Sequence, residues 1–401
     1  MESSDLGSKR SADVIIIGGG VIGLSIAHEL ALRGLSDVML LERGEFAKEA
    51  SWAAGGILAP QVEAEHDDDF FKFACASRDL YPEWAAVLHH NTGIDVELDR
   101  TGTLYLGFSS DGEIEMRRRF AWQTENGLAA EWLTAGEALR LEPNLSPNLR
   151  CATLFPNDWQ IDNRKLLAAL LRRNESLGVK LVANCEVETI QSKDGRATAV
   201  ATNQGLIRAS KVVMAAGAWC SQIKPPQLFA NLVEPVRGQM LCFQPAQQLA
   251  RHVVYSARGY LVPRRDGRLI AGSTAERVGF DKQVTDAGIN AIKTTASEIA
   301  PAIAGLAVVD SWAGFRPRAA DNLPVIGPST DVKGLFYATG HYRNGILLAP
   351  ATAKFMSAMV AGTSGQCPPW LESFSPDRLE RSPEGFTHLR ADRHLELSAA
   401  V

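Results

Sequence analysis

The stretch DVIIIGGGVIG, residues 13–23, restricts the fold more than any other part of this 401-residue sequence. A β-branched run leads into the pattern Gly18-x-Gly20-x-x-Gly23, after which apolar residues recur at helical spacing. A dinucleotide-binding unit requires this order: a strand, a tight turn that lets the backbone approach a pyrophosphate, and a helix whose N-terminus faces the phosphates. The alternative is a glycine turn without a ligand, because such turns are common.

A second predicted strand, DVMLLE, ends on Glu42, which lies 24 residues after Gly18. A carboxylate at this position accepts hydrogen bonds from ribose hydroxyls, and its charge disfavours a 2′-phosphate. The pattern therefore predicts FAD or NAD and excludes NADP. No second GxGxxG follows in the sequence. Because a flavoenzyme reduced by a nicotinamide usually needs a second nucleotide site, we expect FAD that takes electrons directly from a substrate.

Composition and charge exclude several classes of protein. The net charge is −5, with Lys and Arg scattered, so neither nucleic acid nor an anionic membrane surface is an expected partner. The six cysteines form no CxxC pair, which fits reduced thiols in the cytoplasm and predicts neither a disulfide framework nor a metal site. The N-terminal MESSDLGSKRS has no apolar core and is not expected to be a signal peptide.

The rest of the chain predicts an α/β fold, with a Rossmann-like FAD-binding domain and an inserted antiparallel-sheet (α+β) substrate domain. Helices are predicted over 67–91 and 285–300, and a hairpin turns at Asp266-Gly267. Thr134 with Glu137 predicts a capping box, and Asp162 a further helix cap. The expected boundaries are 12–60, 145–225 and 318–370 for the FAD-binding domain, 61–144 and 226–317 for the substrate-binding domain, and 1–11 and 373–401 for polar tails.

The segment GHYRNGILLAP, residues 340–350, joins a predicted buried strand to a predicted apolar helix. One interpretation is that Gly340 and Gly345 only make the turn. The other is that the helix N-terminus directs unpaired N–H groups at a negatively charged ligand. We favour the second, because a reduced flavin carries negative charge around N1 and the C2 oxygen.

Several motifs together resemble the FAD-dependent amine oxidases of the D-amino-acid oxidase superfamily, and within it the glycine oxidase branch. They are GGGVIG with Glu42, AAGAW, GYLVPR, WAGFRP and GHYRNGILLAP, and the similarity covers about residues 12–370. The resemblance implies FAD held non-covalently between two domains, since branches with tethered flavin use a cysteine near the final strands and none lies between 243 and 366 here. It also suggests a homotetramer.

The resemblance assigns substrate contacts to Arg316, Tyr260 and Arg343. A guanidinium that grips a carboxylate would place Cα next to flavin N5. From the residues alone, Arg316 could instead pair with a structural carboxylate, Tyr260 could be packing, and Arg343 could serve the flavin. Predicted cofactor contacts are Gly18, Gly20, Val21, Ile22, Gly23, Glu42, Arg43, Ser51, Ala54, Gly55, Gly56, Val187, Gly217, His341, Tyr342, Arg343, Asn344, Gly345, Ile346 and Leu347.

This chain also departs from the pattern of that branch. Arg258 stands where the branch carries His, and Gly56 and Ala275 stand where it carries Met, so we expect a roomier pocket. The implied reaction is oxidative deamination of glycine, other small amines or D-amino acids, with O2 as acceptor and H2O2 as product, supplying iminoglycine to a thiazole synthase for thiamine. The alternatives are a D-amino-acid dehydrogenase that reduces quinone and a flavin-binding protein without turnover.

Overall fold

The computed structural model describes residues 10–224, 233–363 and 367–379. Most of both predicted tails, and residues 226–232 of the predicted substrate domain, therefore lie outside the described residues.

The nucleotide motif lies in a six-stranded sheet. Strand β1 (Val14–Ile17), helix α1 (Val21–Leu32) and strand β2 (Val38–Leu41) form the predicted βαβ unit, in which the two strands pair in parallel. Both strands are fully buried, as expected for a parallel sheet covered on both faces. The sheet is completed by β8 (Lys180–Val182), β12 (Lys211–Met214), β18 (Val325–Pro328) and β19 (Leu335–Thr339), in the order β18-β19-β12-β1-β2-β8.

A second, eight-stranded sheet is antiparallel except for one parallel pair, and it confirms the expected α+β insertion. The order is β17-β13-β16-β15-β14-β4-β6-β5, and β14 runs parallel to β4. Strand β6 pairs with β4 and β5 here, although the predicted boundaries assign it to the FAD-binding domain. The strands are β4 (Thr103–Gly107), β5 (Glu131–Thr134), β6 (Cys151–Phe155), β13 (Val233–Phe243), β14 (Val253–Ser256), β15 (Tyr260–Pro263), β16 (Leu269–Gly272) and β17 (Val308–Ala319).

Two small sheets complete the strands. They contain β3 (Ile57–Leu58) with β7 (Trp159–Gln160), and β9 (Val187–Lys193) with β10 (Arg196–Thr202) and β11 (Gly205–Arg208). The remaining α-helices among the described residues are α2 (Ala50–Ala53), α3 (Pro60–Glu63), α4 (Asp69–Thr92), α5 (Ser110–Glu125), α6 (Ala135–Leu141), α7 (Asn163–Ser176), α8 (Asp286–Ile299) and α9 (Gly345–Ala361).

Capping side chains define the helix starts. Asp162 accepts two backbone N–H groups at the start of α7, and the predicted capping box begins α6. The helix predicted over 67–91 begins instead at Asp69, because the Asp68 side chain accepts the N–H of Phe71. In the part of the chain that the structure describes, no helix is long and apolar enough to cross a membrane, and no cluster of three potential ligands could hold a metal ion.

Candidate active site

A cavity of about 440 Å³ is lined by residues of both large sheets. Its lining includes the glycine turn after β1, the small residues that follow α2, and Arg316 on β17. Gly23 and Leu347 are the two predicted site residues that do not line it. Those that do are Gly18, Gly20, Val21, Ile22, Glu42, Arg43, Ser51, Ala54, Gly55, Gly56, Val187, Gly217, Tyr260, Arg316, His341, Tyr342, Arg343, Asn344, Gly345 and Ile346.

The glycines at the nucleotide end have separate physical roles. Gly18 has φ +111°, and a Cβ there would lie 2.4 Å from the Ala215 carbonyl oxygen, so a side chain is excluded. A Cβ on Gly23 would lie 1.9 Å from the Gly18 carbonyl oxygen. Gly23 therefore allows α1 to pack against the turn and has no need to touch a ligand. The close backbone approach of this cradle fits a pyrophosphate.

Glu42 holds the glycine turn from the end of β2. One carboxylate oxygen accepts the N–H of Gly19 at 2.7 Å and the other accepts the N–H of Gly44 at 3.1 Å. Burial raises the pKa of Glu42, while these N–H groups and the Arg43 cation oppose the rise. Because Glu42 also lines the cavity, it lies where a ribose hydroxyl would find an acceptor.

Helix α9 directs its N-terminus into the cavity. Gly340, with φ +70°, turns the chain after β19, and among the described residues no side chain caps the helix start at Asn344. The N–H groups of its first turn therefore face the cavity without a capping side chain. His341 is fully buried beside them, and burial lowers the pKa of its imidazole to about 3. The neutral ring contacts the Thr352 hydroxyl at 3.1 Å and is not suited to act as a base.

A proline interrupts the hydrogen bonding of α9 one turn after its start. Pro350 has no N–H, so the carbonyl of Ile346 loses its partner within the helix. The hydroxyl of Tyr81, fully buried on α4, donates to this carbonyl instead. Ser77, one turn earlier on α4, accepts the N–H of Ala351 at 3.2 Å. Helix α4 therefore fixes the part of α9 that faces the cavity.

Arg316, which also lines the cavity, is held by hydrogen bonds to the residues that follow β16. Its guanidinium donates to the Thr274 carbonyl at 3.0 Å and to the Ser273 hydroxyl at 2.7 Å. Among the described residues no carboxylate pairs with it, so the alternative of a structural ion pair has no support. The guanidinium lies against Gly238, where a Cβ would come within 2.2 Å of Nη1. A fixed cation with no carboxylate partner is suited to bind a substrate carboxylate.

In the strand order of the sheet, Tyr260 on β15 lies between Arg316 on β17 and Tyr255 on β14. Its ring stacks on that of Tyr255, with centroids 5.6 Å apart, and its hydroxyl contacts the Met240 sulfur at 3.3 Å. Gly55 makes room for it, because a Cβ there would lie 3.3 Å from the Tyr260 ring. Among the described residues the hydroxyl has only this sulfur as a hydrogen-bond partner, so it is available to a polar ligand.

Arg343 belongs to a network that the sequence patterns did not indicate. It lies 3.0 Å from a Glu63 carboxylate oxygen and donates to the Tyr255 hydroxyl at 2.5 Å. That hydroxyl in turn donates to Glu63 at 2.8 Å. Burial raises the pKa of Tyr255 well above its ordinary value, although the Arg343 cation opposes this, so the hydroxyl keeps its proton. The charge of Arg343 is thus compensated by Glu63.

The expectation that Gly56 enlarges the pocket is wrong. Gly56 has φ +71°, and its Cβ would collide with the Ile161 carbonyl oxygen at 2.0 Å, so no side chain fits there in this backbone conformation. The backbone at this position is held by Arg264, which is buried and donates to the carbonyls of Gly55 and Ile161, each at 2.9 Å. Ala275, the other expected source of space, does not line the cavity.

Of the residues that were not predicted, Tyr255 had a signal in the sequence. The antiparallel pairing of β14 with β15 places Tyr255 directly opposite Tyr260. A hairpin in YSARGY, with its turn between the two tyrosines, therefore predicts that the two rings lie together. Glu63 and Arg264 had no such signal, because their contacts depend on packing between distant segments.

A Rossmann-type sheet whose glycine turn lines the same cavity as an arginine without a carboxylate partner among the described residues is typical of a dinucleotide-dependent oxidoreductase. In agreement, residues 13–359 match the family model DAO, FAD dependent oxidoreductase, and the chain belongs to this family. The geometry of the glycine turn fits the FAD that this family uses.

Individual relatives agree with this assignment. The chain is 33% identical to glycine oxidase of Pseudomonas putida over 353 residues, which is 88% of this chain and 95% of that protein. It is 36% identical to the bifunctional protein ThiO/ThiG of Synechocystis, covering 92% of this chain and 54% of that protein. The crystal structure of glycine oxidase from Geobacillus kaustophilus superposes with a TM-score of 0.86 at 34% identity, covering 92% of this chain and 98% of that one.

Proposed function

We propose that this chain is an FAD-dependent amine oxidase that deaminates glycine and other small amines or D-amino acids. The observation that carries the proposal is Arg316, a guanidinium with no carboxylate partner among the described residues, in a cavity that is also lined by a dinucleotide-binding turn. The similarity to glycine oxidases along most of the chain supports the same substrate class.

The reaction is a two-electron oxidation. The Cα–H bond breaks and its electron pair leaves as hydride, while the nitrogen lone pair forms the C=N bond and a proton is lost from nitrogen. When bound, FAD supplies the hydride acceptor. Transfer of two electrons and two protons to O2 then gives H2O2, and the released imine hydrolyses to the keto acid and ammonia. The protein needs no strong base at carbon, which is consistent with the neutral, buried His341.

The chain contributes by positioning the substrate and by stabilising charge. Arg316 binds the substrate carboxylate, and the Tyr260 hydroxyl provides a second contact beside it. Cα of such a substrate would lie near the small residues Ala54 and Gly55, which line the cavity next to Tyr260. The N-terminus of α9 would stabilise negative charge on a bound FAD. We further propose that FAD is held non-covalently, since no cysteine lies between 243 and 366.

Oxygen consumption and peroxide release test the proposal. We expect purified protein with bound FAD to consume O2 and release H2O2 with glycine, sarcosine or D-alanine. Turnover of a D-amino acid with an artificial quinone but without peroxide would identify the alternative, a dehydrogenase. Absence of turnover with every amine and both acceptors would contradict an enzymatic role.

We also propose that the imine product passes to a thiazole synthase in the cytoplasm, and that the enzyme is a homotetramer. The match to a bifunctional ThiO/ThiG protein supports the first, because about half of that protein remains for a second activity. The six free cysteines fit a reducing compartment. Light scattering tests the assembly, since four 43.4-kDa chains differ clearly in mass from a monomer or dimer.

A further inference from the structure

We propose that Glu63 determines substrate specificity by neutralising Arg343, so that the pocket accepts one carboxylate and rejects a second. The inference rests on the proposed function and extends it to the class of small, monocarboxylic amino acids. It follows from a difference between two arginines that line the cavity. Arg343 lies next to the carboxylate of Glu63, whereas Arg316 has no carboxylate partner among the described residues.

The two arginines lie on opposite sides of Tyr260. From β17, Arg316 reaches across β13 to the residues that follow β16. Arg343 contacts Tyr255 on β14, which lies two strands further along the sheet. Two strand spacings are roughly 10 Å, which is longer than a small amino acid. A ligand that is bound to Arg316 and carries a second carboxylate would therefore direct this carboxylate toward Arg343 and Glu63.

Arg316 and Arg343 differ in whether a carboxylate compensates their charge. Arg316 bonds only a carbonyl and a hydroxyl within the described chain, so its charge is available. Arg343 is 3.0 Å from Glu63, and both groups share the Tyr255 hydroxyl. A second substrate carboxylate near Arg343 would meet the carboxylate of Glu63 at short range, where repulsion is strong.

Glu63 is placed firmly enough to act in this way. It ends α3, whose first N–H groups, those of Gln61 and Val62, bond to the buried Asp158 at 3.1 and 2.7 Å. Arg119 donates to the Val62 carbonyl at 2.9 Å. These bonds limit how far Glu63 can withdraw when a ligand approaches, so the pocket keeps its negative charge.

The test compares two substrates that differ by a carboxylate, sarcosine and iminodiacetate. Glu63→Gln keeps the size of the side chain and removes the negative charge beside Arg343. We expect the ratio of kcat/KM for iminodiacetate over sarcosine to rise about tenfold or more in this variant. Glu63→Asp keeps the charge and should retain the low ratio. The matched control is Glu65→Gln, which removes a charge that pairs with Arg119 outside the cavity and should leave the ratio unchanged.

A binding measurement keeps the inference separate from the proposed function. Methoxyacetate and diglycolate have the shapes of the two substrates but carry no amine, and their binding is followed by the absorption change of bound FAD. We expect wild-type protein to bind methoxyacetate at least tenfold more tightly than diglycolate. The Glu63→Gln variant should lose most of this preference. Equal binding of both acids by wild type, or an unchanged preference in Glu63→Gln, overturns the inference even if the amines are oxidised. The predicted preferences without any amine oxidation would support it while refuting the proposed activity.

Discussion

At the residue scale, the carboxylate site depends on a glycine as much as on the arginine. The guanidinium of Arg316 occupies the space that a side chain at Gly238 would need. This requirement is not visible in the sequence, because the two residues become neighbours only through the pairing of β13 with β17. The motif WAGFRP predicts the arginine, but its surroundings come from the sheet register.

Gly238→Ala should displace the guanidinium without unfolding the protein. The added Cβ would lie 2.2 Å from Nη1 of Arg316, at the flexible end of that side chain, which can move. We expect KM for glycine to rise about tenfold or more, since a charge-assisted hydrogen bond contributes roughly 1.5–3 kcal/mol. Steady-state kinetics measures this, with thermal unfolding as the control for folding. An unchanged KM would show that Arg316 does not bind the substrate.

His341 should make the folded protein less stable at acidic pH. Burial lowers the pKa of its imidazole from 6.5 to about 3 in the folded protein. The unfolded chain binds more protons between these values, so stability is complete above pH 6.5 and falls as the pH drops toward 3. Between pH 7.5 and 5, the free energy of unfolding falls by about 2 kcal/mol because of His341.

Urea unfolding of the FAD-bound protein at pH 7.5 and pH 5 tests this contribution. We expect His341→Gln to lose less stability on acidification than wild type. His66, which is exposed, offers a control, because His66→Gln should follow wild type. The same loss in all three proteins would mean that His341 is protonated in the folded state.

At the scale of elements, the start of α9 depends on α4. Tyr81→Phe removes the hydroxyl that replaces the missing N–H of Pro350 and leaves the buried carbonyl of Ile346 without that bond. Such a loss costs about 1–3 kcal/mol. We expect lower unfolding free energy and weaker FAD binding, measured by denaturation at saturating FAD and by flavin titration. Wild-type values for both would contradict the role assigned to Tyr81.

Elements with a local signal were predicted well. The βαβ unit, the cap of α7 and the capping box of α6 follow from neighbouring residues. Helix α5 was not predicted, because SDGEIEMRRRFAWQTE has few apolar residues and buries only Met116, Arg119 and Gln123. The expected domain boundary at 145 precedes β6, whose pairing with β4 is a long-range contact that composition does not report.

At the scale of the whole molecule, the active site exists only where separate segments meet. The nucleotide end comes from the six-stranded sheet, the carboxylate site from β17, and the Glu63 network from α3, β14 and the start of α9. Buried Arg264 links the end of β15 to the loop after α2. Sequence motifs identified the glycine turn and Arg316, whereas Tyr255, Glu63 and Arg264 were found only once these segments were packed together.

The most direct test of the central claim is anaerobic mixing of the FAD-bound protein with glycine, followed by flavin absorbance. We predict that the oxidised flavin band bleaches, that air restores it with release of H2O2, and that Arg316→Ala needs well over tenfold more glycine for the same rate. If glycine, sarcosine and D-alanine all leave the band unchanged, the amine oxidase function is contradicted. If the flavin in Arg316→Ala is reduced at the same rate and the same glycine concentration as in the wild-type protein, Arg316 is not the carboxylate site.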